Sequence, residues 1–110
     1  MGKPEGIIEK YLVAQSDKHG FLCRKFVSPG RQGVPDRIVI GKGHTVFIEL
    51  KSQTGKLSEI QKQEIKRMLK HGADVRVYNS KQQIDDFFKE TESWPDIENN
   101  ISEDLKELLT

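Results

Sequence analysis

Apolar residues recur along this chain with two periods, and the changes of period divide it into elements. From residue 5 to 18 (EGIIEKYLVAQSDK) Ile8, Tyr11 and Leu12 share a stripe at helical spacing, and His19-Gly20 supplies the stop. The run Phe21–Val27 reads as a first strand, closed by Ser28-Pro29-Gly30. Two more strands are expected at Asp36–Ile40 and Thr45–Lys51, joined by the turn Gly41-Lys42-Gly43-His44. Helical spacing returns from Ser58, a suitable N-cap, to His71 before Gly72, with Leu57, Ile60, Ile65, Met68 and Leu69 as the apolar stripe. DVRVY at Asp74–Tyr78 alternates as a fourth strand, and Ser80 caps a helix over Lys81–Glu90 whose Ile84, Phe87 and Phe88 would dock on the sheet. Ser93–Asp96 has linker composition, and Asn100–Leu109 reads as a short amphipathic helix with Ile101, Leu105, Leu108 and Leu109 on one side. The order α-β-β-β-α-β-α predicts an α/β fold. Its first three strands would meander antiparallel and its fourth would return through a helix, giving a mixed four-stranded sheet.

Two positions depart from this pattern. Glu9 lies three and four residues before Leu12 and Val13, so it borders the buried face of its helix; an edge carboxylate paired with Lys10 or Lys3 is the plain reading. Gln61 occupies a slot, four residues from both Leu57 and Ile65, where the stripe calls for an apolar residue. A polar side chain there needs partners, because an unpaired buried amide costs roughly 1–3 kcal/mol.

Composition narrows the class. A chain of 110 residues supports one domain with a modest core. No eighteen-residue apolar run and no basic-then-apolar leader is present, so neither a membrane span nor a secretion signal is expected. A lone cysteine, Cys23, cannot form an internal disulfide, and an intracellular, cytoplasmic setting is the simpler expectation. Net charge of +1 conceals an asymmetry. Residues 1–90 carry 17 Lys/Arg against 11 Asp/Glu, whereas residues 91–110 carry one lysine against six acids. A basic body followed by an acidic extension suits a polyanionic partner, although such an excess also occurs on ordinary solvated surfaces. Nothing aromatic interleaves the basic residues as a single-strand stacking platform would require, which favours duplex or branched DNA. No Gly-rich nucleotide loop, nucleophilic triad or zinc-ligand set is present, and no nucleotide cofactor is expected.

The chemistry concentrates in G-V-P-D-R-I-V-I-G-K-G-H-T-V-F-I-E-L-K-S, from Gly33 to Ser52. Antiparallel pairing would bring Asp36, at the start of one strand, beside Glu49, near the end of the next. Side chains alternate, so Lys51 shares the Glu49 face. E-x-K alone usually marks a solvated face with a weak ion pair. Two adjacent carboxylates, however, repel unless a cation or proton lies between them. Hard oxygen ligands with open positions suit Mg2+ or Mn2+, and the Leu50 backbone carbonyl is a natural further ligand. Lys51 could then orient a nucleophilic water or stabilise a phosphorane. The reaction class is metal-assisted hydrolysis of a phosphodiester. Around this point Arg31 and Gln32, in the stiff loop Ser28–Pro35, flank the carboxylates, and Arg37, Lys56 and Lys62 add to the basic surface that could track DNA.

V-P-D-R-I-V-I followed by F-I-E-L-K-S resembles the PD-(D/E)XK nuclease superfamily. F-V-S-P-G-R-Q-G-V-P-D-R, I-E-L-K and G-K-L-S-E-I-Q together resemble its VRR-NUC (virus-type replication-repair nuclease) family, particularly small stand-alone phage and bacterial members. The resemblance covers roughly Ile7 to Tyr78, so residues 1–90 read as the nuclease domain and 91–110 as an acidic extension, a possible dimer element. It implies a restriction-endonuclease-like α-β-β-β-α-β core. It also implies Asp36 and Glu49 as metal ligands, Lys51 as the catalytic lysine, Glu9 as the helix-borne acid and Gln61 as the orienting glutamine. Glu5 competes for the role of Glu9, and Gln63 for that of Gln61. The activity implied is that of a Mg2+-dependent DNA endonuclease, acting on four-way (Holliday) junctions as a homodimer, with flap cutting or nicking and a non-catalytic DNA-binding module as alternatives.

Overall fold

A computed structural model describes residues 4–97 and 101–110. Its elements are α1 (Pro4–Lys18), β1 (Leu22–Lys25), β2 (Arg37–Gly41), β3 (His44–Leu50), α2 (Glu59–Lys70), β4 (Asp74–Tyr78), α3 (Lys81–Thr91) and α4 (Glu103–Leu109). The four strands form one sheet in the order β1-β2-β3-β4. β1, β2 and β3 pair antiparallel, and β4 joins β3 in parallel after the α2 crossover. This is the mixed α/β sheet that the alternation of periods predicts.

The β2–β3 turn is tighter than expected. Gly41 pairs with His44, leaving only Lys42 and Gly43 in the turn. Both carry positive φ, 54° and 79°, the signature of a type I′ turn, whose twist matches that of the strands it joins. Each strand therefore gains a residue at this end.

Alternation along the strands gives the sheet two different faces. Val39, Val46, Ile48 and Leu50 point to one side, where they meet Leu12 and Phe21 and the α3 residues Ile84, Phe87 and Phe88 in the hydrophobic core. α1 packs against α3 and β1, while α2 packs against β4. Glu49, buried between Ile48 and Leu50 in sequence, alternates onto the side opposite that core.

The predicted stripe of α2 is corrected by one step of rotation. Ile65 is its buried residue, with Gln61 and Met68 half-buried at i−4 and i+3. Ile60 and Leu69 are 53% and 51% exposed. The N-terminal cap fixes this rotation: Ser58 accepts from the Gln61 N–H, and the Gln61 side chain accepts from the Ser58 N–H.

Residues expected to be a linker after α3 are docked. Trp94 lies against His44 and Phe87, with ring centroids 4.6 and 5.7 Å apart. Lys42 Nζ donates to the Thr91 carbonyl, and the Ile97 N–H donates to the Lys42 carbonyl. This segment closes over the β2–β3 turn, the end of the sheet remote from Asp36 and Glu49. The predicted terminal helix begins at Glu103, capped by Ser102, and none of its residues is buried; Asn100 lies outside the described residues.

Candidate active site

The paired register ends at Arg37–Ile48; carried one residue on it would set Asp36 opposite Glu49, and the charge of Asp36 does act on Glu49. Opposed residues of an antiparallel pair carry Cβ atoms about 4.5–5.5 Å apart, so the two carboxylates meet at one end of the β2–β3 ribbon. Backbone bonds hold both sides. The Phe26 N–H donates to the Asp36 carbonyl at 2.9 Å, and Lys51 N–H donates to the Tyr78 carbonyl at 2.9 Å.

Pro35, fully buried, explains what Asp36 does next. Carried on two residues past its last pair, the same register would bring Pro35 opposite Leu50. Proline has no N–H, so it offers no ladder donor to the Leu50 carbonyl. On the other half of that pair, the Leu50 N–H donates to Asp36 Oδ2 at 3.0 Å. The carbonyl of a strand residue points to the same edge as its N–H, so the Leu50 oxygen faces the Asp36 side.

Glu49 is 2% exposed and divides its oxygens between two kinds of environment. Oε2 receives the Gln61 amide at 2.9 Å and Lys51 Nζ at 3.2 Å. Oε1 is buried and has no hydrogen-bond partner. Burial, followed by the charge of Asp36, raises its pKa to about 7 against the opposing pull of Lys51. The site thus carries an uncompensated acceptor inside a region of crowded negative charge. Among the described residues no three His, Cys, Asp or Glu side chains converge as a metal cage. The donor set instead consists of the Asp36 carboxylate, Glu49 Oε1 and the Leu50 carbonyl. These are all hard oxygens, the donor type that suits Mg2+ or Mn2+.

The remaining predicted residues fall into distinct places. Gln61 joins the cluster and is at once the third helical residue of the cap and the donor to Glu49. Its rival Gln63 is exposed in a groove beside the loop Gly30–Gln32. Glu9 accepts from Arg37 Nε at 2.8 Å. That bond uses Arg37 as the partner of a helix carboxylate, with its side chain 19% exposed. Of the partners expected for Glu9, Lys10 is displaced by Arg37, while Lys3 lies outside the described residues, as does the Glu5 side chain. Arg31, Gln32 and Lys56 are exposed, and Lys62 is exposed while pairing with Glu59.

Three features escape the sequence reading. The Ser58-x-x-Gln61 spacing is itself a capping-box signature and could have been found. The Arg37–Glu9 pair joins residues 28 apart and leaves no local mark. Nor does Glu64, which contacts both Arg31 and Arg67.

Known proteins resemble this chain in sequence and in fold. Residues 7–82 match the family model of the VRR-NUC domain. Over 77 residues the chain is 43% identical to a protein named "Putative nuclease p44" from Acyrthosiphon pisum secondary endosymbiont phage 1, covering 69% of this chain and 83% of that one. A solved structure described as a VRR_NUC domain superposes with a TM-score of 0.74 at 33% identity, over 80% of this chain and 97% of that one.

Proposed function

The chain belongs to the VRR-NUC domain family, and from that premise we propose that it is a divalent-metal-dependent DNA endonuclease that cuts branched duplexes, four-way junctions above all, as a homodimer. The observation that carries this reading is the unpartnered Glu49 Oε1 beside Asp36 and the Leu50 carbonyl. A protein that only binds DNA gains nothing from crowding carboxylates where phosphates must lie.

Asp36, Glu49 and the Leu50 carbonyl would hold Mg2+, with Mn2+ as a substitute. When bound, the ion lowers the pKa of water and offsets charge on a phosphoryl oxygen. Lys51 stands on the same face as Glu49 and supplies a cation to orient the attacking water or stabilise the phosphorane. Gln61 occupies Glu49 Oε2 and so fixes the carboxylate with Oε1 presented to the site. Glu9 acts through Arg37, holding α1 to the start of β2. Arg31, Gln32, Lys56 and Lys62, all exposed, engage the DNA, whereas Arg37 is committed to Glu9 on the other side of the sheet.

A symmetric junction requires two cuts, and one chain presents one site, so a two-fold dimer matches substrate symmetry. The exposed Leu105, Leu108 and Leu109 of α4 are its proposed contact. Its setting is the interior of a bacterial or phage-infected cell, where such DNA lies. No helix among the described residues is long and apolar enough to cross a membrane.

A labelled panel of four-way junction, flap, nicked duplex, plain duplex and single strand, incubated with Mg2+ or Mn2+, tests the proposal. Paired cuts in opposite junction arms, abolished in Lys51→Ala, are expected. Cutting of flaps or nicks alone would retain the site and discard junction resolution. Metal-independent DNA binding with no cutting would leave a binding module.

A further inference from the structure

One residue along α2 from Gln61, which donates to Glu49, lies a groove of about 380 Å3 between the loop residues Gly30–Gln32 and the first turns of α2. Its volume falls within the ~300–1,000 Å3 of small-ligand sites. Helical spacing places Ile60, Gln63, Glu64 and Arg67 on one face of α2. That face is turned roughly 100° from Gln61, whose amide reaches Glu49.

The walls of this groove are fixed. Gly33 has φ +87°, and a Cβ there would stand 2.7 Å from the Ile60 carbonyl oxygen, so only glycine lets the loop lie this close to the helix. Glu64, on the same helix and with a side chain 13% exposed, contacts Arg31 at 3.9 Å and Arg67 at 3.3 Å. The two guanidinium groups are held by one carboxylate while both remain more than half exposed. Ile60, in the lining with both arginines, keeps 53% of its surface in water. An exposed isoleucine flanked by guanidinium groups, amides and the Glu59 carboxylate, which pairs with Lys62, has no part in the core or in the hydrolytic step.

We infer that this groove takes one unpaired nucleobase of the DNA strand next to the cut phosphate. The inference rests on the nuclease reading and deepens it. A base has apolar faces and a polar edge. Ile60 offers apolar contact to a face, and the Arg31 and Arg67 guanidinium groups can stack on the other or take a neighbouring phosphate. The side-chain amides of Gln32 and Gln63 each present both donors and an acceptor to the Watson–Crick edge. A paired base cannot use these groups, because its faces are covered by stacking and its edge by its partner. Extruding it costs stacking and pairing, least where pairing is already broken. The groove therefore favours cutting where a strand leaves the duplex, as at a junction or flap.

The test uses the full chain and a branched duplex carrying 2-aminopurine at each position around the cut, in EDTA so that binding is read without cleavage. Fluorescence should rise on binding at one position and fall back in Ile60→Ser and in Gln63→Ala. In Mg2+, Ile60→Ser should slow single-turnover cutting of the branched duplex by about tenfold or more, the scale of a lost apolar contact. It should leave a substrate already unpaired at that position less affected. Ile60 is exposed, so the variant is expected to fold; Gln63→Ala provides the second readout. A rise that survives both substitutions overturns the groove, as does cutting in Mg2+ with no rise at any position, and either result leaves the nuclease standing. A rise without cutting in any divalent metal keeps the groove and removes the nuclease. Neither rise nor cutting overturns both.

Discussion

Glu49 bears the sharpest conflict in the molecule, a nearly inaccessible carboxylate facing another. Its proton is held in the folded chain to about pH 7, whereas in the unfolded chain it leaves near the ordinary 4.5. Between those values the native state binds more protons than the unfolded state, so stability falls as pH rises through that window and stays low above it. In chelator, urea unfolding free energy should drop by roughly 2–3 kcal/mol from pH 4.5 to 7.5 on account of this group. Glu49→Gln, which keeps the shape without the charge, should flatten that slope. An unchanged slope in the variant would show that Glu49 is not the group responsible. Mg2+ should restore stability at high pH and bind more tightly there, since the proton must leave before the cation can enter.

At the scale of elements, α2 does two jobs through one residue. Gln61 completes the cap with Ser58 and also donates to Glu49. The two jobs separate by substitution. Ser58→Ala removes only the cap and should cost about 1 kcal/mol of stability, with cutting reduced little. Gln61→Ala removes the cap acceptor and the Glu49 donor together, so it should lose similar stability and in addition slow cutting by about tenfold or more. Chemical denaturation and single-turnover cleavage on the same preparations distinguish them. Equal cleavage by the two variants would reduce Gln61 to a helix cap. The β2–β3 ribbon shows the complementary economy. Its type I′ turn sets the register down to Arg37–Ile48, and just beyond that last pair Asp36 accepts from the Leu50 N–H.

For the whole molecule, the segment after α3 divides into a docked part and an exposed part. Trp94 and Ile97 close over the β2–β3 turn, whereas Leu108 and Leu109 of α4 are 83% and 70% exposed. A seven-residue helix is marginal by itself, and its leucines need a partner to justify their exposure to water. Light scattering should give a dimer for the full chain and a monomer for the Leu105→Ser/Leu108→Ser/Leu109→Ser variant. A dimer in both would move the interface elsewhere. Cutting after Ile97 is a better truncation than cutting after Thr91, because it spares the packing of Trp94.

The sequence by itself determined the order of elements, the mixed sheet and which strands carry Asp36, Glu49 and Lys51. These follow from local periods and from chemistry carried on adjacent residues: P-D before an apolar strand, E-x-K at the end of the next, and a glutamine where a helix stripe should be apolar. Tertiary structure alone decided which residues share a bond across distance. Arg37, read as part of a DNA-facing surface, is turned to Glu9 because strand alternation sends it to the α1 side of the sheet, opposite Asp36. Ile60, read as core, is exposed because the cap sets the rotation of α2 and the sheet covers only the face bearing Gln61, Ile65 and Met68. Glu64 joins Arg31 to Arg67 only because Gly33 allows the loop to reach the helix. Periodicity records how a segment meets a layer. It does not record the angle at which two segments meet, and that angle is what brings these distant side chains together.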